Sequence, residues 1–178
     1  LTEGHPQVTA LFPAEGQSGT DLLALAAGLE GDSTHPLAKA VREAAAVRKV
    51  TPVVVTNGQA VPGHGLTALW NGTPVRLGSP RFLKETPVGA ASDAGQEGQT
   101  LIGVTRGDVL LGWIAMADRV REDAARGIAE LKDMGLRPIM VTGDSEAAAH
   151  RVALEVGLTS VLAGVLPGAK AAAIRRVT

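Results

Sequence analysis

Residues 137–165 read RPIMVTGDSEAAAHRVALEVGLTSVLAGV, and the order of element types within this stretch decides the fold class. Pro138–Val141 is an apolar run of strand length that ends in Thr142-Gly143-Asp144. Helical spacing follows from Glu146 to Val156 and stops at Gly157, after which Val161–Val165 is a second apolar run. Strand, helix and strand at these lengths make a βαβ unit, and a crossover helix of this kind joins parallel strands. Upstream, Ala124, Ile128 and Leu131 give one apolar face to a helix that runs to Met134 and stops at Gly135. Downstream, Lys170–Val177 begins a further helix.

Before Val109 the pattern is different. Val8–Pro13 has strand character, and Thr20-Asp21 is positioned to cap a helix carrying Leu22, Leu23, Leu25 and Leu29. Gly31-Asp32-Ser33 breaks that helix, and a second one runs from Pro36, suited to a first turn, to Lys49. Short strands are predicted at Pro52–Thr56, Leu66–Trp70 and Pro74–Gly78, with Asn57-Gly58 and Asn71-Gly72 as the hairpin signals. A short helix at Pro80–Glu85 and a loop at Pro87–Gln99 come next. Thr100–Thr105 and Val109–Ala117 are strands flanking the turn Arg106-Gly107-Asp108. The fold expected is therefore α/β, with an antiparallel sheet and helices first and a parallel-sheet domain last. The change near Val109 marks the boundary, and no internal repeat is visible.

Composition narrows the function classes. The 178 residues carry a formal net charge of -1, which leaves no electrostatic drive toward nucleic acid or an anionic membrane. Aromatic residues make up 2%, too few to stack bases along a strand. There is no cysteine, so neither a disulfide scaffold nor a thiolate metal site can form in these residues, and no protein metal site is expected. Apolar runs such as Val109–Ala117 fall well short of the roughly 20 residues a membrane-spanning helix needs, so direct membrane insertion is not expected.

Several residues could carry chemistry, and each has a plainer reading beside it. Ligands of open parallel sheets bind at the carboxyl ends of the strands, where Thr142, Gly143 and Asp144 stand. A hydroxyl there can donate to a phosphoryl oxygen, and a carboxylate can hold hydrated Mg²⁺. Thr-Gly-Asp-Ser before Glu146 also reads as a helix cap. Asp118 could likewise cap the helix that follows it. Lys170, near a strand end, could neutralise a transferring phosphoryl group or simply be a surface lysine. Glu30 and His35 bracket a helix break, which by itself is a polar connection. Gly63-His64-Gly65 lacks the dinucleotide fingerprint and fits a hairpin that needs glycine.

Their order along the chain is more specific than any one of them. Leu1-Thr2-Glu3-Gly4, Glu30–Ala38 (EGDSTHPLA), Gly63-His64-Gly65, Gly78, Asp118-Arg119-Val120-Arg121, Thr142-Gly143-Asp144 and Pro167–Lys170 occur in sequence. Together they resemble the ATP-binding loop of heavy-metal-transporting P-type ATPases along essentially the whole chain. The first element resembles the continuation of that family's Asp-Lys-Thr-Gly-Thr signature. The His35-Pro36 pair is similar to the motif that separates the heavy-metal branch from other P-type pumps.

The resemblance implies a nucleotide-binding domain at residues 7–108, inserted in an incomplete haloacid-dehalogenase-like phosphorylation domain at residues 1–6 and 109–178. It implies that Glu30, His35, Pro36, Gly63, Gly65 and Gly78 form the nucleotide site. Thr142, Gly143, Asp144 and Lys170 would surround the phosphoryl group, with ATP and Mg²⁺ as cofactors. The implied hinge strands lie near Gly4–Val8 and Asp108–Gly112. The implied partners are ATP or ADP and the remainder of the pump, and the implied location is the cytoplasmic face of a membrane. The implied reaction couples an aspartyl-phosphate to heavy-metal cation export, with copper favoured over zinc or cadmium. In that frame the nucleophilic aspartate precedes Leu1, so the segment alone is expected to bind nucleotide without phosphorylating itself. Thr34, Ser145 and Gly168-Ala169 depart from the usual residues of the motifs. Two rival readings stand beside this one: a soluble phosphatase of the haloacid-dehalogenase type, whose D-x-D-x-T/V strand is absent from these residues, and a non-catalytic nucleotide-binding module.

Overall fold

Leu22, Leu23 and Leu25 are essentially inaccessible to water, and the helix that carries them, α1 (Gly19–Glu30), is pressed against a sheet by that apolar face. Full burial of each such side chain contributes about 2 kcal/mol. The computed structural model describes residues 1–62 and 64–165. They form two compact units, one of residues 5–95 and 100–117, the other of residues 1–4, 96–99 and 118 onward.

The first unit is built on strands β1 (Thr2–Pro13), β2 (Thr56–Val61), β3 (Gly65–Trp70), β4 (Thr73–Gly78), β5 (Thr100–Arg106) and β6 (Val109–Val120). They lie side by side in the order β1-β6-β5-β4-β3-β2. Pairing is antiparallel from β2 through β6. The backbone N–H of Ala14 donates to the carbonyl of Leu111, and the hydroxyl of Thr9 to the carbonyl of Ala115, so numbering falls along β6 as it rises along β1. Val75, Leu77, Ile102, Val104, Ile114 and Met116 point to one face, where they pack on α1 and on α2 (Pro36–Val47). Trp113, Leu101 and Phe12 point to the other, against Leu83 of α3 (Pro80–Leu83) and Ala91 of α4 (Ala90–Gln96).

Local signals fared unevenly. Asn71 and Gly72 both have positive φ, 50° and 76°, as a two-residue hairpin turn between β3 and β4 requires. Asn57-Gly58 makes no hairpin. It sits inside β2, where the register against β3 shifts between Thr56 and Gln59. Residues 52–55 are not a paired strand, because the Val53 N–H donates to the Ala24 carbonyl and its backbone packs against Gly28 of α1. Residues 87–99 are not all loop, since Ala91 and Ala94, three apart, bury one side of α4. Ser18 rather than Thr20-Asp21 caps α1, its hydroxyl accepting from the N–H groups of both. Val109–Met116 pairs with β5 along its length, so the sheet unit extends to Ala117 and the compositional change at Val109 falls inside it.

The second unit contains α5 (Ala124–Asp133), β7 (Met140–Val141), α6 (Glu146–Glu155) and β8 (Val161–Leu162). β7 and β8 are parallel, with Met140 opposite Val161, and α6 crosses between them. Ile128, Ala153, Val156 and Leu158 form its core. Asp118 caps no helix. It lies in the extended backbone of β6, and its carboxylate accepts from the Gly4 N–H at 3.2 Å. Among the described residues, no helix is long and apolar enough to cross a membrane.

Candidate functional site

The sheet unit contains a cavity of about 490 Å³, within the range of small-molecule sites. Glu30 reaches it from the last position of α1, His35 from the residue before α2, Gly65 from the start of β3 and Gly78 from the end of β4. Four candidate residues between positions 30 and 78 thus line one cavity. Val61, Leu66, Leu77 and Ile102 supply apolar surface around them. Pro36 occupies the first turn of α2 and does not line the cavity. Gly63 lies outside the described residues, while Pro62 and His64 on either side of it line the cavity.

The two glycines pair directly, Gly65 opposite Gly78. A β-carbon on Gly78 would stand 2.6 Å from the Phe82 ring and 2.6 Å from the His64 carbonyl oxygen. One on Gly65 would stand 2.8 Å from the same ring and overlap the Leu77 carbonyl oxygen. Packing within the protein therefore requires glycine at both positions, beside any need for a ligand to approach. Phe82 has no motif to announce it in the sequence; only the fold brings its ring over both glycines.

Glu30 is 8% exposed. Burial raises its carboxyl above the ordinary range, and the neighbouring His35 and Arg42 act in the opposite direction. The exposed His35 begins α2: the Leu37 N–H donates to its Nδ1 at 3.2 Å. Nδ1 is thus the acceptor, and the proton of the neutral ring resides on Nε2, leaving a donor for another partner.

In the second unit, Thr142 follows β7 at the carboxyl edge of the parallel pair. Its hydroxyl donates to the Asp144 carboxylate at 2.6 Å and accepts from the Asp144 N–H at 3.2 Å. The cap of α6 is Ser145, whose hydroxyl accepts from the Ala148 N–H at 3.3 Å. The capping role thus falls to Ser145, and Thr142 and Asp144 form a separate hydrogen-bonded turn with Asp144 exposed. A side chain on Gly143 would meet only the Val165 carbonyl oxygen at an ordinary 3.5 Å. Lys170 lies outside the described residues. Among the described residues, no group of three His, Asp or Glu side chains is placed to hold a metal ion.

Residues 1–177 match the haloacid dehalogenase-like hydrolase family. The chain is 38% identical over 178 residues to a zinc/cadmium/lead-transporting P-type ATPase of Shigella sonnei, covering 99% of this chain and 24% of that protein. It is 40% identical over 181 residues to a copper-transporting P-type ATPase of Rhizobium leguminosarum bv. viciae, covering 98% and 21%. Its backbone is similar to the crystal structure of a zinc-transporting PIB-type ATPase in its E2.Pi state, with a TM-score of 0.85 and 38% identity over 99% of this chain and 29% of that one. The chain spans about a quarter of the length of these relatives. It belongs to the haloacid dehalogenase-like hydrolase family and, within it, to the heavy-metal P-type ATPases, of which it represents one segment.

Proposed function

We propose that this chain is the ATP-binding segment of a heavy-metal-transporting P-type ATPase, with the nucleotide held in the cavity lined by Glu30, His35, Gly65 and Gly78. The single observation that carries this reading is the convergence of those residues, from four separate elements, on one cavity. The cavity suits an adenosine: apolar side chains offer flat contact, and a few polar groups fix orientation. Glu30, buried, would accept a hydrogen bond from an amine on the base, strengthened by exclusion of water. His35 would donate from Nε2 to an acceptor on base or ribose, because its Nδ1 is already engaged by Leu37.

Thr142, Gly143 and Asp144 would meet the phosphoryl group at the carboxyl edge of β7 and β8, with Lys170 supplying positive charge. The residues present fit Mg²⁺ that arrives with ATP rather than one held by a protein cage, since Mg²⁺ of that kind needs only one or two carboxylates. Asp144 would hold it, and it would neutralise charge on the phosphates. The 178 residues contain no Asp-Lys-Thr-Gly-Thr signature. In this reading they bind nucleotide at the cytoplasmic face of the membrane, while the aspartyl-phosphate and cation export belong to the whole pump. The curated relatives carry zinc/cadmium/lead as well as copper names, so the proposed cargo is a heavy-metal cation, copper or zinc class.

Titration of the isotopically labelled chain with ATP and with ADP tests the proposal. Backbone resonances of Glu30, His35, Gly65 and Gly78 are expected to shift saturably. If saturating nucleotide leaves all four unmoved, the cavity is not the ATP site. Turnover of a generic phosphate ester by the chain alone would instead favour a soluble phosphatase.

A further inference from the structure

The connection between Glu30 and His35 is short, and its shape sets the distance between the two. Arg42, two turns along α2 from His35, donates from one guanidinium nitrogen to the Gly31 carbonyl at 2.9 Å and from the other to the Ser33 carbonyl at 2.8 Å. Those two carbonyls belong to the segment between Glu30 and His35. The segment's other bonds are local: the Ser33 N–H donates to the Glu30 carbonyl at 2.9 Å, and the His35 N–H to the Ser33 hydroxyl at 3.3 Å. Arg42 ties this segment to the body of α2.

A cation is electrostatically favoured there. Glu30 stands at the carboxyl end of α1, where the helix dipole is already negative, and it is buried. An anion in that position is doubly disfavoured. Arg42 places positive charge next to both the helix end and the carboxylate, and a planar two-nitrogen fork can serve two carbonyls in one geometry.

We propose that Arg42 is a positioning residue of the nucleotide site: by clamping the Gly31 and Ser33 carbonyls it holds Glu30 and His35 at the spacing at which both face the same bound nucleotide. It touches no nucleotide itself and acts through the loop. This inference rests on the reading of the cavity as the ATP site.

The test is ATP affinity by calorimetry for the full chain and for Arg42→Met and Arg42→Lys, together with amide spectra of Gly31–His35 before nucleotide is added. Loss of two charge-assisted bonds predicts that Arg42→Met weakens ATP binding by about tenfold or more. The lysine variant, with a point charge in place of a fork, is expected to recover part of that loss. The amides of Gly31–His35 are expected to shift in Arg42→Met even without ATP. Affinity of Arg42→Met equal to that of the unaltered chain overturns the proposal. So does weakened binding with unshifted loop amides, because that is the result of a direct ligand contact. Should Arg42→Met not fold, Arg42→Gln, which keeps a donor for one carbonyl, is judged by the same two criteria. Failure of the underlying reading is distinct: the unaltered chain would then bind no ATP at all.

Discussion

Gly65 and Gly78 stand directly opposite each other across β3 and β4, and the ring of Phe82 fills the space that a β-carbon on either residue would take. Two absent side chains thus admit one aromatic ring against the paired strands. Gly78→Ala must displace both that ring and the His64 carbonyl, and overpacking of this kind costs about 1–3 kcal/mol. Urea denaturation of the variant is expected to show the loss in the midpoint with an unchanged slope. Stability equal to that of the unaltered chain would mean that Phe82 is free to move.

Glu30 is expected to oppose stability and support binding. Its carboxyl is raised by burial, so the folded state holds the proton more tightly than the unfolded chain does. A raised value contributes stability that is complete below the ordinary carboxyl value of 4.5 and is lost as pH rises through the raised one. Glu30→Gln does not titrate. Relative to the unaltered chain it is expected to gain stability as pH rises from 4.5 until the raised value is passed, and to bind ATP more weakly at pH 7. Thermal unfolding at several pH values, paired with ATP titration at pH 7, checks both signs.

Ser145 and Thr142 are three residues apart and are expected to separate cleanly. Ser145→Ala removes the α6 cap and should destabilise the chain by about 1 kcal/mol. Thr142→Val removes the exposed bond to Asp144 and should cost about 0.5 kcal/mol, the lower end for a net hydrogen bond. In the intact pump the ranking by ATPase turnover should reverse, with Thr142→Val the more damaging. Equal turnover for the two variants would remove Thr142 from the phosphoryl site.

Gly72 is in the left-handed region at φ 76°, next to Asn71 at 50°. Forcing a β-branched residue into that conformation costs about 1–2 kcal/mol. Gly72→Val is therefore expected to lower the unfolding midpoint without altering nucleotide affinity, because the turn does not line the cavity. Calorimetric unfolding and ATP titration of the same variant measure both quantities.

Asn71-Gly72 was legible as a hairpin in the sequence because a two-residue turn is a local object. Asn57-Gly58 carries the same signal and makes a register shift instead, since Val53 is drawn onto α1 by Ala24 and Gly28, contacts that no local pattern announces. Val109–Met116 shows the same limit: hydrophobic composition grouped it with the parallel-sheet residues, while hydrogen bonding to β5 keeps it in the antiparallel sheet. Arg42 carries no motif signal in the sequence because its partners are backbone carbonyls, which leave no mark on side-chain identity. Its spacing of seven from His35, one helical face, was the available clue.

By itself the sequence determined the βαβ unit around Thr142-Gly143-Asp144, the antiparallel sheet with helices before it, and the ordered motifs that resemble a heavy-metal pump. Periodicity and short motifs are properties of neighbouring residues, so they survive without the fold. Only the tertiary structure decided that Glu30, His35, Gly65 and Gly78 line one cavity, that Ser145 rather than Asp144 caps α6, that Phe82 packs on both glycines, and that Arg42 bonds the carbonyls of Gly31 and Ser33. Those relationships depend on sheet register and on helices packed across it, where residues far apart in the chain are brought together by burial of the apolar faces.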